Sequence, residues 1–390
     1  MLAMRTRAAI LAAVLAAAGC DGGGGDGWGG ALDDAQADVG PGGDGDGGGG
    51  DTGSRSVWTA LPGAVLGDVT RVVAFSGDGG ALYVSAESPV SEGVFRLDLA
   101  APDAGFAKIF EGTGLTLATP AGTYTALWEN KAGALVQVGG EEALDLGFNF
   151  EQREIQRMVY ADGLLYLLSK DWAAAEYHVN RGSAAAMQWE PVGPVSDETA
   201  LGFHCDGETV MVVTVRNEIP LGLNCRTVPA NAGEDGAWSP CEGFPQHLAG
   251  GPNDPYSVKA GITGDGAVLA AWFEVLKAGQ KTWEVQTGVL DGSWSLASGL
   301  PEDRPPSAMM VHAGLAWIGY SGLGDGAQVF SRSADGAGVE GALALGSGLP
   351  EPAGDKTGVA GLVGVDGNVY LLWQDYNAGG STLTVYGLTP

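Results

Sequence analysis

Cations are scarce in this chain. It carries 19 Lys+Arg against 47 Asp+Glu in 390 residues, a formal net charge of −28 at pH 7. So acidic a surface repels phosphate backbones and anionic lipid headgroups, which argues against nucleic acid and charged bilayers as partners. Histidine is scarcer still: His178, His204, His247 and His312 lie far apart, show no metal-ligand spacing, and read as packed or surface side chains. There is no Gly-x-Ser-x-Gly, P-loop or dinucleotide fingerprint, and the many Gly-x-Gly matches follow from a content of 67 glycines. No sustained 3.6-residue period marks a long helix. No apolar run approaches the ~20 residues of a membrane-spanning helix.

The one apolar run, Ala8 to Ala18, follows Arg5 and Arg7. It is too short to span a bilayer and has the form of an export signal. It ends in Ala17-Ala18-Gly19-Cys20. Small residues before a cysteine resemble the bacterial lipobox, although Ala17 stands where that family usually has leucine. The resemblance implies removal of residues 1–19, lipidation of Cys20, and a place in the bacterial cell envelope with the lipid as the only membrane anchor. It leaves open which membrane or leaflet holds the anchor. Cleavage takes two cations and no acid, leaving a net charge of −30.

Residues 20–54 are mostly Gly and Asp, with almost nothing to bury, and read as a disordered, self-repelling tether. "GDGDGGGGD" within it lacks the spacing and terminal Glu of an EF-hand and reads as a solvated spacer.

Residues 55–390 read as one all-β domain. A unit of two apolar strands around a tight turn, usually Asp-Gly, recurs with turn glycines at Gly80, Gly133, Gly163, Gly207, Gly266, Gly314 and Gly367. Asp-Gly between apolar runs is a strong hairpin signal, because glycine takes positive φ without steric cost. A repeat of this length, all strand and turn, marks a β-propeller blade. Second hairpins such as "EVQTGVLDGSWSLAS" complete most blades as strands a to d.

This predicts a seven-bladed propeller of four-stranded blades, with six as the alternative because the Gly133 copy is followed too closely by the next. "VWTALPG", Val57 to Gly63, then reads as a d strand without a blade. The chain ends in "STLTVYGLTP", a c strand without a d strand. Pairing the two closes the ring and hides both edges.

The second hairpins resemble the Asp-box repeat of sialidase-type propellers, most nearly at Ser333, Asp335 and Gly336, without its tryptophan. The resemblance covers architecture. None of the arginine, Tyr/Glu or acid positions of those enzymes aligns here. Arg71, Arg157, Lys259, Arg304 and Lys356 lie just before predicted inner strands and read either as channel groups that grip a carboxylate or as solvated rim charges.

Tyr83, Tyr166, Trp317 and Tyr370 share one offset from their turn glycine and read as packing between blades. At the end of strand b, Trp272 with Glu274, Trp373 with Asp375, and Asp171 with Trp172 give ligand-binding candidates. Known propellers bind ligands on the face formed by b–c and d–a loops. Here that face would also hold Asp68, Asp197, Asp254, Glu302, Asp303 and Asp355. It suits an envelope protein, a glycan or a cation such as calcium. The same acids also read as part of a uniformly acidic surface.

The expectation is a monomeric, non-catalytic binding or scaffold module. No cofactor is predicted, and the alternative is a sialidase-like hydrolase or lyase acting on extracellular polysaccharide.

Export permits a disulfide. Cys225 and Cys241 are equidistant from a c–d turn near Gly233 and should lie opposite each other on adjacent strands. Cys205, at the far end of its blade, is left as a buried free thiol.

Overall fold

The computed structural model describes residues 57–389 apart from 90–91, 130, 140–142, 184, 195, 197, 216–222, 245–259, 278–279, 291, 322–327, 334–342, 345–347, 351–356 and 378–379. The export signal, Cys20 and the tether lie outside the described residues, as do Asp197, His247, Asp254, Lys259, Asp335, Gly336, Asp355 and Lys356.

The described chain is strand and turn, with a single 3₁₀ turn at Pro102–Ala104. It opens with β1 (Val57–Val69). Blade 1 follows as β2 (Arg71–Asp78), β3 (Ala81–Glu87), β4 (Gly93–Asp98) and β5 (Ala107–Phe110). Blade 2 is β6 (Leu115–Thr119), β7 (Gly122–Glu129), β8 (Ala132–Val138) and β9 (Leu144–Glu151). Blade 3 is β10 (Arg153–Ala161), β11 (Leu164–Asp171), β12 (Glu176–Ser183) and β13 (Gln188–Pro191). Blade 4 is β14 (Thr199–Cys205), β15 (Thr209–Val215), β16 (Leu223–Pro229) and β17 (Ser239–Pro240). Blade 5 is β18 (Ala260–Asp265), β19 (Val268–Lys277), β20 (Gln280–Val289) and β21 (Trp294–Leu296). Blade 6 is β22 (Ala308–His312), β23 (Leu315–Tyr320), β24 (Gln328–Ser333) and β25 (Leu343–Ala344). Blade 7 is β26 (Gly358–Val365), β27 (Asn368–Asn377) and β28 (Gly380–Thr389), completed by β1.

Each of the seven sheets is a four-stranded antiparallel meander. The inner strands β2, β6, β10, β14, β18, β22 and β26 touch in succession, and β26 touches β2, so the ring is closed. Strand b of each blade is covered by a neighbouring blade on both faces. This is why these strands read as apolar runs rather than alternating ones. In "TVMVVTV" of β15, every residue after Thr209 is buried.

β1 supplies the missing outer strand, as the orphan d strand predicts. It pairs with β28 in the register Val57↔Thr389, Trp58↔Leu388, Thr59↔Gly387 and Ala60↔Tyr386, then resumes after a bulge at Val65↔Thr384. Ser381 Oγ donates to the Val69 carbonyl at 2.6 Å. Trp58 is 2% exposed and packs with Trp317, Val329, Val359 and Trp373, welding blades 6 and 7. In the bulge, Gly63 has φ +69°, and a Cβ there would sit 2.8 Å from the Asp103 carbonyl oxygen. Only glycine lets β1 cross so close to blade 1.

One hairpin is corrected. "TALWENKAGALVQVG" was expected to hold the first turn of blade 2, at Gly133. It forms β7 and β8, the b–c pair, with Trp128 opposite Gly133. The a–b turn lies at Pro120-Ala121 and has no Asp-Gly. Thr119 takes over the role: its hydroxyl donates to the Gly122 carbonyl at 2.9 Å and accepts from the Ala121 N–H at 3.1 Å. Serine and threonine hydroxyls brace turns this way, but less recognisably than Asp-Gly. Blade 2 therefore has its full four strands, and the six-bladed alternative falls.

Blade 4 has an outer ladder of only two pairs, Arg226↔Pro240 and Thr227↔Ser239. The disulfide Cys225–Cys241 continues it, with a Cα–Cα distance of 5.3 Å and the Cys241 N–H donating to the Cys225 carbonyl at 3.0 Å. In the chain-entropy model a 16-residue loop gives about 3 kcal/mol. A hairpin that is already local realises less. Cys205 is free and buried, and burial pushes its thiol up to about 11.

Two outcomes follow. Trp58→Ala should destabilise the domain by about 3–5 kcal/mol, whereas Val65→Ala, at 51% exposure on the same strand, should change stability by no more than about 0.5 kcal/mol. Chemical denaturation of both variants checks this. Cys205 should resist iodoacetamide at pH 8 in the native protein and react once the chain unfolds. Rapid native labelling would contradict its burial.

Candidate functional site

The sequence-derived candidates fall on strand b of blades 3, 5 and 7, at the b–c end. These blades are not neighbours, so the candidates do not converge. Their carboxylates already have partners. Asp171 Oδ1 accepts the Ala173 and Ala174 N–H groups at 2.8 and 3.1 Å, and Arg153 lies 3.7 Å away. The Ala174 bond foremost, with the Ala173 bond and Arg153, holds its carboxyl below the usual range against the opposing effect of burial. Glu274 is buried and pairs with Lys281 at 3.1 Å. Asp375 accepts from the Thr357 hydroxyl at 3.2 Å.

The tryptophans differ more. Trp373 is 2% exposed, edge-on to Tyr386 in the core between blades 6 and 7, and has no face to offer a ligand. Trp272 is half-buried against Gly261, where a Cβ would meet its Nε1 at 2.2 Å. Trp172 alone is open, at 47%.

The channel cations divide likewise. Arg71 pairs with Glu87 at 3.2 Å in solvent. Arg304 lies close enough to the buried Tyr320 hydroxyl to oppose the rise that burial gives its pKa. His204 is buried, its Nε2 2.7 Å from the Gly266 carbonyl oxygen. His312 packs its ring on Gly364. Among the described residues, no three of His, Cys, Asp or Glu could hold a metal ion together.

What does converge is a cluster on blade 3, built on Trp172. Its indole Nε1 donates to Glu154 Oε2 at 2.7 Å. Glu154 is 5% exposed. Burial raises its carboxyl above the ordinary 4.5, outweighing the Trp172 bond, the charge of Lys170 and the nearby Gln156 amide. Lys170 Nζ sits 3.7 Å from the Trp172 ring centroid and 5.7 Å from that of Tyr177, a cation–π contact with both. Tyr177 is buried, and its hydroxyl feels both Glu154 and Arg157. Arg157 is desolvated on the innermost strand, and burial lowers its pKa.

The folding logic is local. β10 carries a one-residue bulge at Gln156, which breaks strict alternation and crowds polar side chains onto one side. β11 ends in Lys170-Asp171, and Asp171 caps the turn that presents Trp172.

Asp171 and Trp172 were legible from the sequence. Glu154, Gln156, Lys170 and Tyr177 were not. The available signal was the comparison of inner strands with each other rather than of turn glycines. Chemically the cluster offers an indole face, a lysine and arginine, and one shielded carboxyl. Among the described residues it holds no second free carboxylate of the kind two-carboxyl hydrolysis needs.

A separate recess of about 300 Å³ opens between blades 2 and 3 at the a–b end. Tyr124, Tyr160, Leu144 and Met187 are among its walls, and no charged residue lines it.

No family model matches the chain, and neither does any curated protein. Solved structures do match in fold. The β-propeller domain of the Trilobed protease from Pyrococcus furiosus is 11% identical with a TM-score of 0.54, covering 83% of this chain and 98% of that one. An oligogalacturonate lyase from Vibrio parahaemolyticus is 9% identical with a TM-score of 0.50, covering 85% and 97%. A chain of a mitotic checkpoint complex is 10% identical with a TM-score of 0.50, covering 89% and 97%. At such identities the likeness establishes the fold, a β-propeller, and nothing of activity.

Because the Glu154 carboxyl is raised in the folded state, its contribution to stability is fully present below its unfolded value and is lost as pH rises through the folded value. Glu154→Gln should remove that part of the slope. Unfolding free energies from pH 4 to 8 should therefore fall less steeply in the variant. Parallel curves would contradict the assigned burial.

Proposed function

We propose that the chain is a lipid-anchored, exported propeller that acts as a non-catalytic binding module of the cell envelope. Cys20 carries the lipid, residues 20–54 form the tether, and the ligand docks on blade 3 around Trp172. The observation that carries this reading is the single open tryptophan among the described residues, Trp172, held by the buried Glu154 carboxyl beside Lys170. An aromatic surface held rigid by its own polar tip costs little entropy to bury again in a complex. Asp171 is committed to a turn, Glu274 to an ion pair and Asp375 to the Thr357 hydroxyl, which fits binding better than turnover. An envelope glycan or protein fits an aromatic platform of this kind.

Two measurements test it. Metabolic palmitate labelling should mark the wild-type chain and not Cys20→Ala. Immobilised full-length protein should retain an envelope glycan or protein, and Trp172→Ala, shown folded by circular dichroism, should retain at least tenfold less. Polysaccharide turnover that Glu154→Gln abolishes would instead make the protein a hydrolase or lyase.

A further inference from the structure

The seven inner strands are copies of one element, so each position has internal references. Four of them bulge at the same place. The extra residue is Val73 in blade 1, Gln156 in blade 3, Leu201 in blade 4 and Ala360 in blade 7. The residues that follow are Ala74, Arg157, Gly202 and Gly361. Three copies thus read apolar-then-small, and there is reason for the small residue. A Cβ at Gly202 would lie 2.4 Å from Ile262 of the next blade, and one at Gly361 would lie 2.8 Å from Phe75. Blade 3 replaces this pair with an amide and a guanidinium.

The fold does not use these groups fully. Gln156 Nε2 is buried without a hydrogen-bond partner, although its amide lies near the Glu154 carboxyl. Arg157 Nη1 donates to the Gln156 carbonyl at 2.8 Å, and no carboxylate among the described residues pairs with the guanidinium. A buried donor left unmade costs about 1–3 kcal/mol, and the half-buried Arg157 guanidinium has no carboxylate among the described residues to offset its desolvation. The other three blades show that the bulge needs neither group. A guanidinium fork beside an amide N–H matches the acceptor geometry of a planar or tetrahedral oxyanion. Lys170, which faces Glu154, adds positive charge.

We infer that Gln156 and Arg157 form a subsite for an oxyanion, carboxylate or phosphate, carried by the ligand of blade 3. This rests on the binding-module reading above.

The probes are sodium acetate and sodium phosphate, each against sodium chloride at equal ionic strength. The readout is the side-chain Nε–H resonance of Arg157 in ¹⁵N-arginine-labelled full-length protein. Acetate or phosphate should shift it saturably, and Gln156→Val should weaken the apparent affinity at least threefold. Acetate alone acting would identify a carboxylate, and phosphate alone a phosphate group. The melting temperature of the wild type should rise with the active anion, while Gln156→Val and Arg157→Ala, which copy blade 1, should fold, the first responding less and the second not at all. No saturable shift with either anion, or an equal thermal response in the variants, overturns the subsite. The two readings fail separately. Envelope-ligand capture that survives Arg157→Ala refutes the subsite and spares the module. Anion binding at Arg157 with no captured ligand does the reverse.

Discussion

The antiparallel pairing of β1 with β28 is the constraint on which the molecule depends. It joins the start of the domain to its end, and it makes the outer strand of blade 7 come from before blade 1. Without it, β28 would present a bare ladder, and Trp58 would leave the space between blades 6 and 7 that it fills with Trp317 and Trp373. Because β1 runs on into the first inner strand after Thr70, the closing strand also fixes where blade 1 begins. The composition of every blade follows from closure. Each strand b is covered on both faces, so it can be apolar throughout, and acids are pushed to turns and rims.

A closed ring of similar blades also changes how a functional residue is recognised. A fixed offset from a turn marks packing: Tyr166 and Trp317 share one such offset and are buried in the clusters between blades. The candidates at the end of strand b obey the same rule more than any shared ligand. Trp373 is core, and Glu274 belongs to an ion pair. Departure from the repeat is the better signal. Blade 3 departs twice, with Trp172 standing in solvent over Glu154 and with Gln156-Arg157 where the other three bulged blades place an apolar residue and a small one.

Most of the architecture was legible because its determinants are local. Asp-Gly turns announce hairpins, and the equal distances of Cys225 and Cys241 from their turn announce a disulfide. The unpaired ends of the chain announce closure. The misplaced turn of blade 2 shows the limit of that reading. Thr119 makes its turn with a side-chain hydroxyl, a device that the sequence spells in the same letters as any strand threonine. The candidate site was only half legible for a different reason. Glu154 and Trp172 are brought together by register across two strands, and Gln156 is set apart by a bulge that shifts the pairing by one. Register and bulges are tertiary outcomes, invisible in a window of a few residues.

The central claim is that β1 is an integral strand of the ring. Native-state hydrogen exchange measures this directly, because an integral strand opens only when the whole domain opens. The amides of Trp58 and Ala60 should exchange with the same opening free energy and denaturant dependence as those of the inner strand β26. If the β1 amides exchange through a low-energy, denaturant-independent opening while β26 stays protected, β1 is an appendage, and the ring closes without it.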